Sequence, residues 1–490
     1  MANHRTPPYV VSLTHHPQLF LDDRCIGNRL NLKRQMQQPL KFEGNPIMPV
    51  EHPWEQRHMY RPSVIFEPQA NEFRMHYTTI AGAKPKASVA VCYAESDDGF
   101  TWRKCLTNSF LYEGRPSNIV PGPSHAIKTP HDAKRPYIGV FGKVLTGKEF
   151  TGRGLHVASS PDGLHWESPH SITKTKCDTI PSIVWHEPVQ RYFVYTRAQM
   201  HHHALDGHLR ITGVMESSDF ETWTAKRAIN LIPETEGFPY VQAHALTAHA
   251  YGDLLIGQVP VLSLEESGNN FLGRFDIQLA VSRDGWTWNR VANGAIFMPP
   301  GPENWDRWYV HSCSMTRKDD TLYFYYNGRS QKHGAVRQLI EQGVEVEMPT
   351  PKGSIGVATL PADRFVALQP IDSTTPGVLD TPPVRFAGRE LFINAELDPA
   401  DFQVELIDEQ GPVTQYQATP VTGFDRNHSK LVRHDELRHR VVWQCDGTER
   451  ALGDAPLDRP VILRFLLRRG KLFAFQVGNS RSQGPSRPME

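Results

Sequence analysis

The 490-residue chain has no excess charge of either sign, with 53 Lys and Arg against 53 Asp and Glu. That balance excludes the broad basic field of a nucleic-acid binder and offers nothing to an acidic membrane surface, so a neutral partner is expected. Cysteine is sparse. Cys25, Cys92, Cys105, Cys177, Cys313 and Cys445 are scattered with no C-x-x-C pair, which gives neither a disulfide framework nor a local zinc knuckle. No run approaches the roughly eighteen apolar residues of a membrane span. The opening MANHRTPPYVVSL lacks the charged, apolar and small-residue regions of a secretory signal, and the expected compartment is the cytoplasm. Long periodic helices are missing, with one short candidate at Ala335–Gly343. No phosphate-binding loop, dinucleotide fingerprint, G-x-S-x-G elbow or H-E-x-x-H motif is present.

What the chain does have is a phrase that returns. AESDDGFTW (Ala94–Trp102), ASSPDGLHW (Ala158–Trp166), MESSDFETW (Met215–Trp223) and AVSRDGWTW (Ala280–Trp288) are four copies, with tryptophans 64, 57 and 65 residues apart. A weaker fifth, VATLPADRF, spans Val357–Phe365. Each copy is an alternating strand that runs into a tight aspartate turn, followed by an aromatic that packs back beneath it. A period of this size indicates a closed or stacked array of small sheets.

Two further strand-like runs precede each copy. They are Pro62–Phe66 with Phe73–Thr78, Ser124–Lys128 with Tyr137–Phe141, Pro181–Trp185 with Tyr192–Thr196, Gln242–Thr247 with Leu254–Val259, and Ser312–Thr316 with Leu322–Tyr326. Five four-stranded meanders around an axis make a five-bladed β-propeller. The expected fold is therefore all-β, a five-bladed β-propeller followed by a C-terminal β-sandwich. Residues 1–50 form an N-terminal extension whose strand, Gln18–Ile26, pairs onto the propeller or the sandwich. Residues 51–370 form the propeller, 371–383 a Pro/Ser/Thr-rich linker, 384–478 the sandwich, and 479–490 a disordered tail.

This order of domains, with the S-x-D-G-x-x-W turns, resembles the five-bladed glycoside hydrolases of families 32 and 43 and related uncharacterised families. The turns are also similar to the structural Asp-boxes of sialidases. The resemblance implies a glycosidase of carbohydrate metabolism with carboxylates at the starts of inner strands. It departs from family 32 at blade one, where Met59-Tyr60-Arg61-Pro62-Ser63 carries Arg61 in place of the acid.

In a propeller the starts of the innermost strands converge at one mouth. Read off the sequence, those positions carry Arg61, His125, Asp178, Gln242, His244 and His311, with Arg197, Gln258, Asn327 and Arg329 at second-strand ends. Such a set suits a polyhydroxylated ligand held by directional hydrogen bonds. Glycoside hydrolysis usually takes two carboxylates. Asp178 is the one acid at an inner-strand start and ranks first, Glu236 in the loop before blade four second, and Glu55 third. Asp306 lies beside Trp305, as Glu55 lies beside Trp54, and either indole could stack on a sugar. The aspartates of the repeated turns are assigned to structure. No cofactor is called for, although His125, His244 and His311 leave open a structural divalent cation on the axis. Three functions compete: an exo-acting hydrolase of a short oligosaccharide or glycoside, a glycoside phosphorylase with phosphate held by Arg61, Arg197 and Arg329, and a non-catalytic carbohydrate-binding propeller.

Overall fold

The computed structural model describes residues 10–81, 88–142, 154–175, 177, 181–201, 208–265, 272–345, 353–396, 402–408, 413–414, 417–430, 435–456 and 458–479. The chain divides into two compact units. One runs from Gln38 to Leu360, and the other combines the N-terminal 37 residues with the segment that begins at Pro361.

Among the described residues the first unit has one two-stranded hairpin, at Thr107–Tyr112 and Arg115–Ser117, and five antiparallel sheets of four to six strands. Their inner strands are Met59–Glu67, His125–Lys128, Ser182–His186, Thr247–Tyr251 and Tyr309–Lys318. Each inner strand packs on the next, and the fifth packs on the first, so the contacts close a ring. The arrangement is propeller-like.

One position in each inner strand explains how the ring holds. Ser63, His125, Ser182, Thr247 and Ser314 oppose His76, Val140, Tyr195, Gln258 and Tyr325 on their second strands, so the five are equivalent by register or adjacent to the same pairing. At four of the five junctions this side chain bonds the backbone of a neighbouring inner strand. Ser63 Oγ accepts from the Ala126 N–H (2.9 Å), and His125 Nδ1 accepts from the Ile183 N–H (3.3 Å). Ser182 Oγ donates to the Leu246 carbonyl (2.8 Å), and Ser314 Oγ accepts from the Val64 N–H (2.9 Å). Inner strands of different sheets are not ladder partners, so these bonds satisfy backbone groups that would otherwise be buried unpaired.

The repeated turns supply a second set of links. In all four complete copies the serine Oγ accepts the N–H three residues on, and the aspartate Oδ1 accepts two further N–H groups. Gly99, Gly163 and Gly285 sit at φ near +80°, where a Cβ is disfavoured, and Phe220 takes that place at +70° in the third copy. Each turn then receives a donor from the preceding sheet. Arg74 reaches the Asp162 carbonyl (3.2 Å), Arg135 that of Asp219 (3.1 Å), Tyr195 that of Gly285 (2.7 Å) and Tyr325 that of Gly99 (3.0 Å). The phrase is therefore an inter-sheet clip at four of the five junctions.

The fifth sheet closes with a strand from the N-terminal side. Leu40–Lys41 pairs antiparallel with Ser354–Pro361, and Lys41 Nζ reaches Asp306 (2.6 Å) and the Pro299 and Gly301 carbonyls. The strand expected at Gln18–Ile26, given either the propeller or the sandwich as partner, is observed as Gln18–Leu19 and pairs with Lys471–Gly478 in the other unit, where the buried Gln18, Leu19 and Phe20 continue that unit's core.

The second unit holds two six-stranded sheets around one apolar cluster that includes Val11, Phe20, Leu391, Trp443, Phe465 and Phe475. It starts earlier than the composition suggested. Val366–Pro370, placed in the propeller, pairs with Leu32–Met36. Gly377–Asp380, placed in the linker, pairs with Val461–Leu467. Residues 371–383 are turn-rich, but Gly377–Asp380 is a strand with Leu379 fully buried. Of the proposed tail, residues 480–490 lie outside the described residues. No helix among the described residues is long and apolar enough to cross a membrane.

The turns make a prediction about acid stability. Burial raises the Asp162 carboxyl pKa, but the backbone N–H groups of His165 and Leu164 and the His165 side chain outweigh it, bringing the group down to about 2. A carboxyl that is depressed in the folded state stabilises above its unfolded pKa of about 3.9, and that contribution disappears as pH falls through the folded value. Asp162→Ala should cost about 1–2 kcal/mol at neutral pH. The gap from the parent in urea melts should narrow between about pH 4 and pH 2.

Candidate functional site

The inner-strand starts of sheets three to five bring three of the expected residues together. Arg197 extends from the second strand of sheet three, and its Nη2 lies 2.9 Å from His244 Nε2. His244 Nδ1 lies 3.1 Å from His311 Nε2. A guanidinium can only donate, so His244 Nε2 is the acceptor and its Nδ1 carries the proton. The bonds therefore run in one direction, Arg197 to His244 to His311. Burial, then the Arg197 charge, push His244 well below the usual imidazole range, and it is neutral at physiological pH. Phe275 packs edge-on against His244 (4.9 Å), Tyr309 is stacked beside His311 (5.7 Å), and the His333 ring is 5.4 Å from that of His244. The result is a polar line set in an aromatic wall.

Arg61 is distinctive for its backbone. It lies in the bulge between Tyr60 and Ser63 with φ at +56°, and its guanidinium covers the Tyr60 ring at 5.0 Å. Non-glycine residues held there are uncommon and collect at binding and catalytic sites.

Other expected residues have different tasks. His125 is one of the inter-strand links described above. It faces His249 across 6.2 Å, and burial lowers the two to about 4 and about 3 respectively, so both are neutral. Gln258 Nε2 donates to His249 Nε2 (3.1 Å). Gln242 is fully buried, accepting from Arg210 and donating to the Pro239 carbonyl. Asn327 donates to the Met59 and Ser354 carbonyls. His125, His244 and His311 thus do not share one centre, and the described residues include no cluster of three or more His, Cys, Asp or Glu suited to a metal.

The acids divide sharply. Asp178, with Thr179 and Ile180, lies outside the described residues. Glu236 is exposed on the short turn Glu234–Glu236 and pairs with Arg290. Asp306 is buried and holds Lys41 (2.6 Å) and the Tyr326 hydroxyl (3.1 Å). Glu55 has no exposure. Its Oε1 accepts from the Tyr77 hydroxyl (2.5 Å), and its Oε2 accepts from Lys104 Nζ (2.8 Å) and the N–H groups of Glu51 and His52. Both oxygens of the Glu55 carboxylate are therefore held by neighbours, an arrangement suited to a structural part. The tryptophans named for stacking are likewise committed. Trp54 is buried and donates to Asn118, and Trp305 stacks on Tyr326.

The sequence reading missed the cations Lys41, Lys104 and Arg290, which neutralise three of the named acids from remote positions. It also missed His249 and His333. His249 carried a signal, because it lies two residues beyond Thr247 and so on the same strand face.

No family model and no curated protein matches this chain. Solved structures resemble it distantly. One concerns the GH130 family of mannoside phosphorylases, which contains glycoside hydrolases that target β-1,2-mannosidic linkages in Candida mannan (13% identity, 67% of this chain, 95% of that one, TM-score 0.45). Others are β-1,2-mannobiose phosphorylase from Listeria innocua (10%, 69% and 98%, 0.42) and the catalytic domain of Coprinopsis cinerea GH62 α-L-arabinofuranosidase (11%, 66% and 97%, 0.41). At these TM-scores the correspondences bear on neither the residues of the mouth nor their chemistry.

Glu55→Gln separates scaffold from chemistry. It removes the buried partner of the Lys104 ammonium and leaves it only the partly exposed Glu51 (3.2 Å), which should cost about 1–3 kcal/mol. A thermal melt should show that loss, while turnover per folded molecule stays near the parent. A normally melting but inactive variant would return Glu55 to the catalytic list.

Proposed function

We propose that this chain is a carbohydrate-active enzyme, a glycoside hydrolase whose five sheets are the blades of a propeller and whose second unit is the expected β-sandwich. Cleavage takes place at the mouth where the inner strands begin. The observation that carries this reading is the directed Arg197–His244–His311 line. It is buried polar geometry in an aromatic wall, at strand positions where a purely structural sheet would carry aliphatic residues. Aromatic faces suit the C–H surfaces of a sugar ring, and fixed donors suit its hydroxyls. The left-handed Arg61 at the same end supports a site there. The finer likeness to families 32 and 43 rests on the turns and the domain order, and the cytoplasmic setting and the absence of a cofactor stay with the sequence reading.

In this mechanism Asp178, which the sequence reading puts just before the inner strand of the third repeat, is the nucleophile or water-activating base, or stabilises positive charge at the sugar carbon. Glu236, which pairs with Arg290, is the candidate proton donor. A phosphorylase is the second reading. It is favoured by the neutralisation of Glu55, Glu236 and Asp306 while Arg61 and Arg197 stay at the mouth, because phosphorolysis takes one acid and a cationic cradle for phosphate.

A panel of aryl and natural-type glycosides, assayed with and without inorganic phosphate, tests both readings. Release of free sugar independent of phosphate supports the hydrolase, and phosphate-dependent formation of a sugar 1-phosphate supports the phosphorylase. Asp178→Asn should lower the rate at least about 10³-fold, about 4 kcal/mol of transition-state stabilisation, without a change in melting. A folded variant at parental rate would remove Asp178, and an inactive parent across the panel would leave the non-catalytic carbohydrate binder.

A further inference from the structure

A cavity of about 360 Å³ opens beside the helix Ala335–Glu341, where the second strand of sheet five ends. It adjoins the site described above along the chain. His333, whose ring approaches His244, sits between Lys332 and Gly334, both of which line the cavity. Its volume falls at the small end of the roughly 300–1,000 Å³ of ligand sites, room for one sugar unit.

Three cations line it, and two are already balanced. Arg337 pairs with Glu341 (2.7 Å), and Lys332 pairs with Glu265 while its ammonium covers the Trp308 ring (4.8 Å). Arg329 differs. Its guanidinium lies over the Tyr309 ring (4.2 Å), and no carboxylate pairs with it among the described residues. Its Nε is buried without a hydrogen-bond partner there, and so is Oε1 of Gln331, another lining residue. Both residues line one cavity, and their unpaired atoms, closed to solvent in this conformation, reach a ligand there when the side chains turn toward it. Buried polar groups are normally paired, and a pair of exceptions at a cavity asks for a ligand that completes both.

The chemistry of that ligand follows. Arg329 requires an acceptor, best a negatively charged one, and Gln331 Oε1 requires a donor such as a hydroxyl. A metal ion would meet three cations, an amide and one carboxylate, Glu341, already paired with Arg337, and a hydrocarbon would leave both groups unpaired. Val336 and the largely exposed Ile340 add aliphatic surface for a ring's C–H face. We infer that this cavity is a subsite for an acidic saccharide unit, with the anionic substituent on Arg329 and a hydroxyl on Gln331. The inference rests on the carbohydrate reading and narrows its substrate class to sugars bearing a carboxylate or a phosphate ester.

Calorimetric titration of the full chain with glucuronate, glucose 6-phosphate, glucose and inorganic phosphate tests it without reference to turnover. At least one acidic sugar should bind at least about tenfold more tightly than glucose, and which one identifies the anionic group. Arg329→Gln should erase that preference. Gln331→Leu should weaken the sugar acids by about three- to tenfold and leave inorganic phosphate unchanged, and melts of both variants should match the parent. If Arg329→Gln melts early, Lys332→Gln takes its place and should weaken the acidic sugars at least about threefold by reducing the positive field. Equal affinity for glucose and the acids, or a preference that survives the folded cation variant, overturns the subsite. So does inorganic phosphate bound as tightly as glucose 6-phosphate and indifferent to Gln331→Leu. Cleavage of neutral glycosides without any acidic preference would sink this inference and spare the enzyme assignment. Acidic preference without cleavage of any glycoside would do the reverse.

Discussion

The first unit depends on a bond that crosses between sheets that do not share a ladder. A short polar side chain, in four of the five inner strands, reaches the backbone at the adjacent inner strand: Ser63 to Ala126, His125 to Ile183, Ser182 to Leu246, Ser314 to Val64. These links hold the strands near the axis at a spacing set by one hydroxyl or imidazole. A longer side chain would push neighbours apart, and an aliphatic one would leave buried N–H and C=O groups without partners. The aspartate turns perform the matching task farther out, each presenting carbonyls to a donor on the preceding sheet. With both sets in place the starts of the inner strands have little freedom. That rigidity allows residues as distant in sequence as Arg197 and His311 to lie in one hydrogen-bonded line.

The electrostatics of the unit follow from where its acids went. Glu55, Glu236 and Asp306 each face a cation, and for Glu55 and Asp306 the pairing is buried. A buried carboxylate is retained only with such a partner, so these pairs set the geometry of the loops leading into sheets one and five. At the other end of the same balance are neutral histidines. Burial strips His125, His249 and His244 of charge, and as neutral rings they can accept on one nitrogen while donating on the other. Direction in the Arg197–His244–His311 line comes from that neutrality, since a protonated His244 could not accept from an arginine.

Much of this architecture was legible before any coordinates. The phrase S-x-D-G-x-x-W marks its own turns, because a side chain that accepts two nearby N–H groups needs only local sequence to form. Alternating runs on either side marked the strands, and the pairs Phe73–Thr78, Tyr137–Phe141 and Tyr192–Thr196 fall inside observed strands. The boundary between the units was less legible. Residues 371–383 have a linker's composition, yet Gly377–Asp380 is a strand, because burial of Val378 and Leu379 neighbours is decided by the distant Val461–Leu467.

The sequence by itself determined the repeat, the all-β class and the positions at which polar residues begin the inner strands, since all three depend on periodicity and turn chemistry within a few residues. Only the tertiary structure decided what each polar residue does. His125 and His244 look alike in the sequence, each a histidine at an inner-strand start, but one links two strands and the other joins an arginine to a second histidine. Glu55 and Asp306 look like candidate catalytic acids until Lys104 and Lys41 arrive from other segments. A charge's role is set by what lies within about 4 Å of it, and chain folding, not sequence proximity, chooses those neighbours.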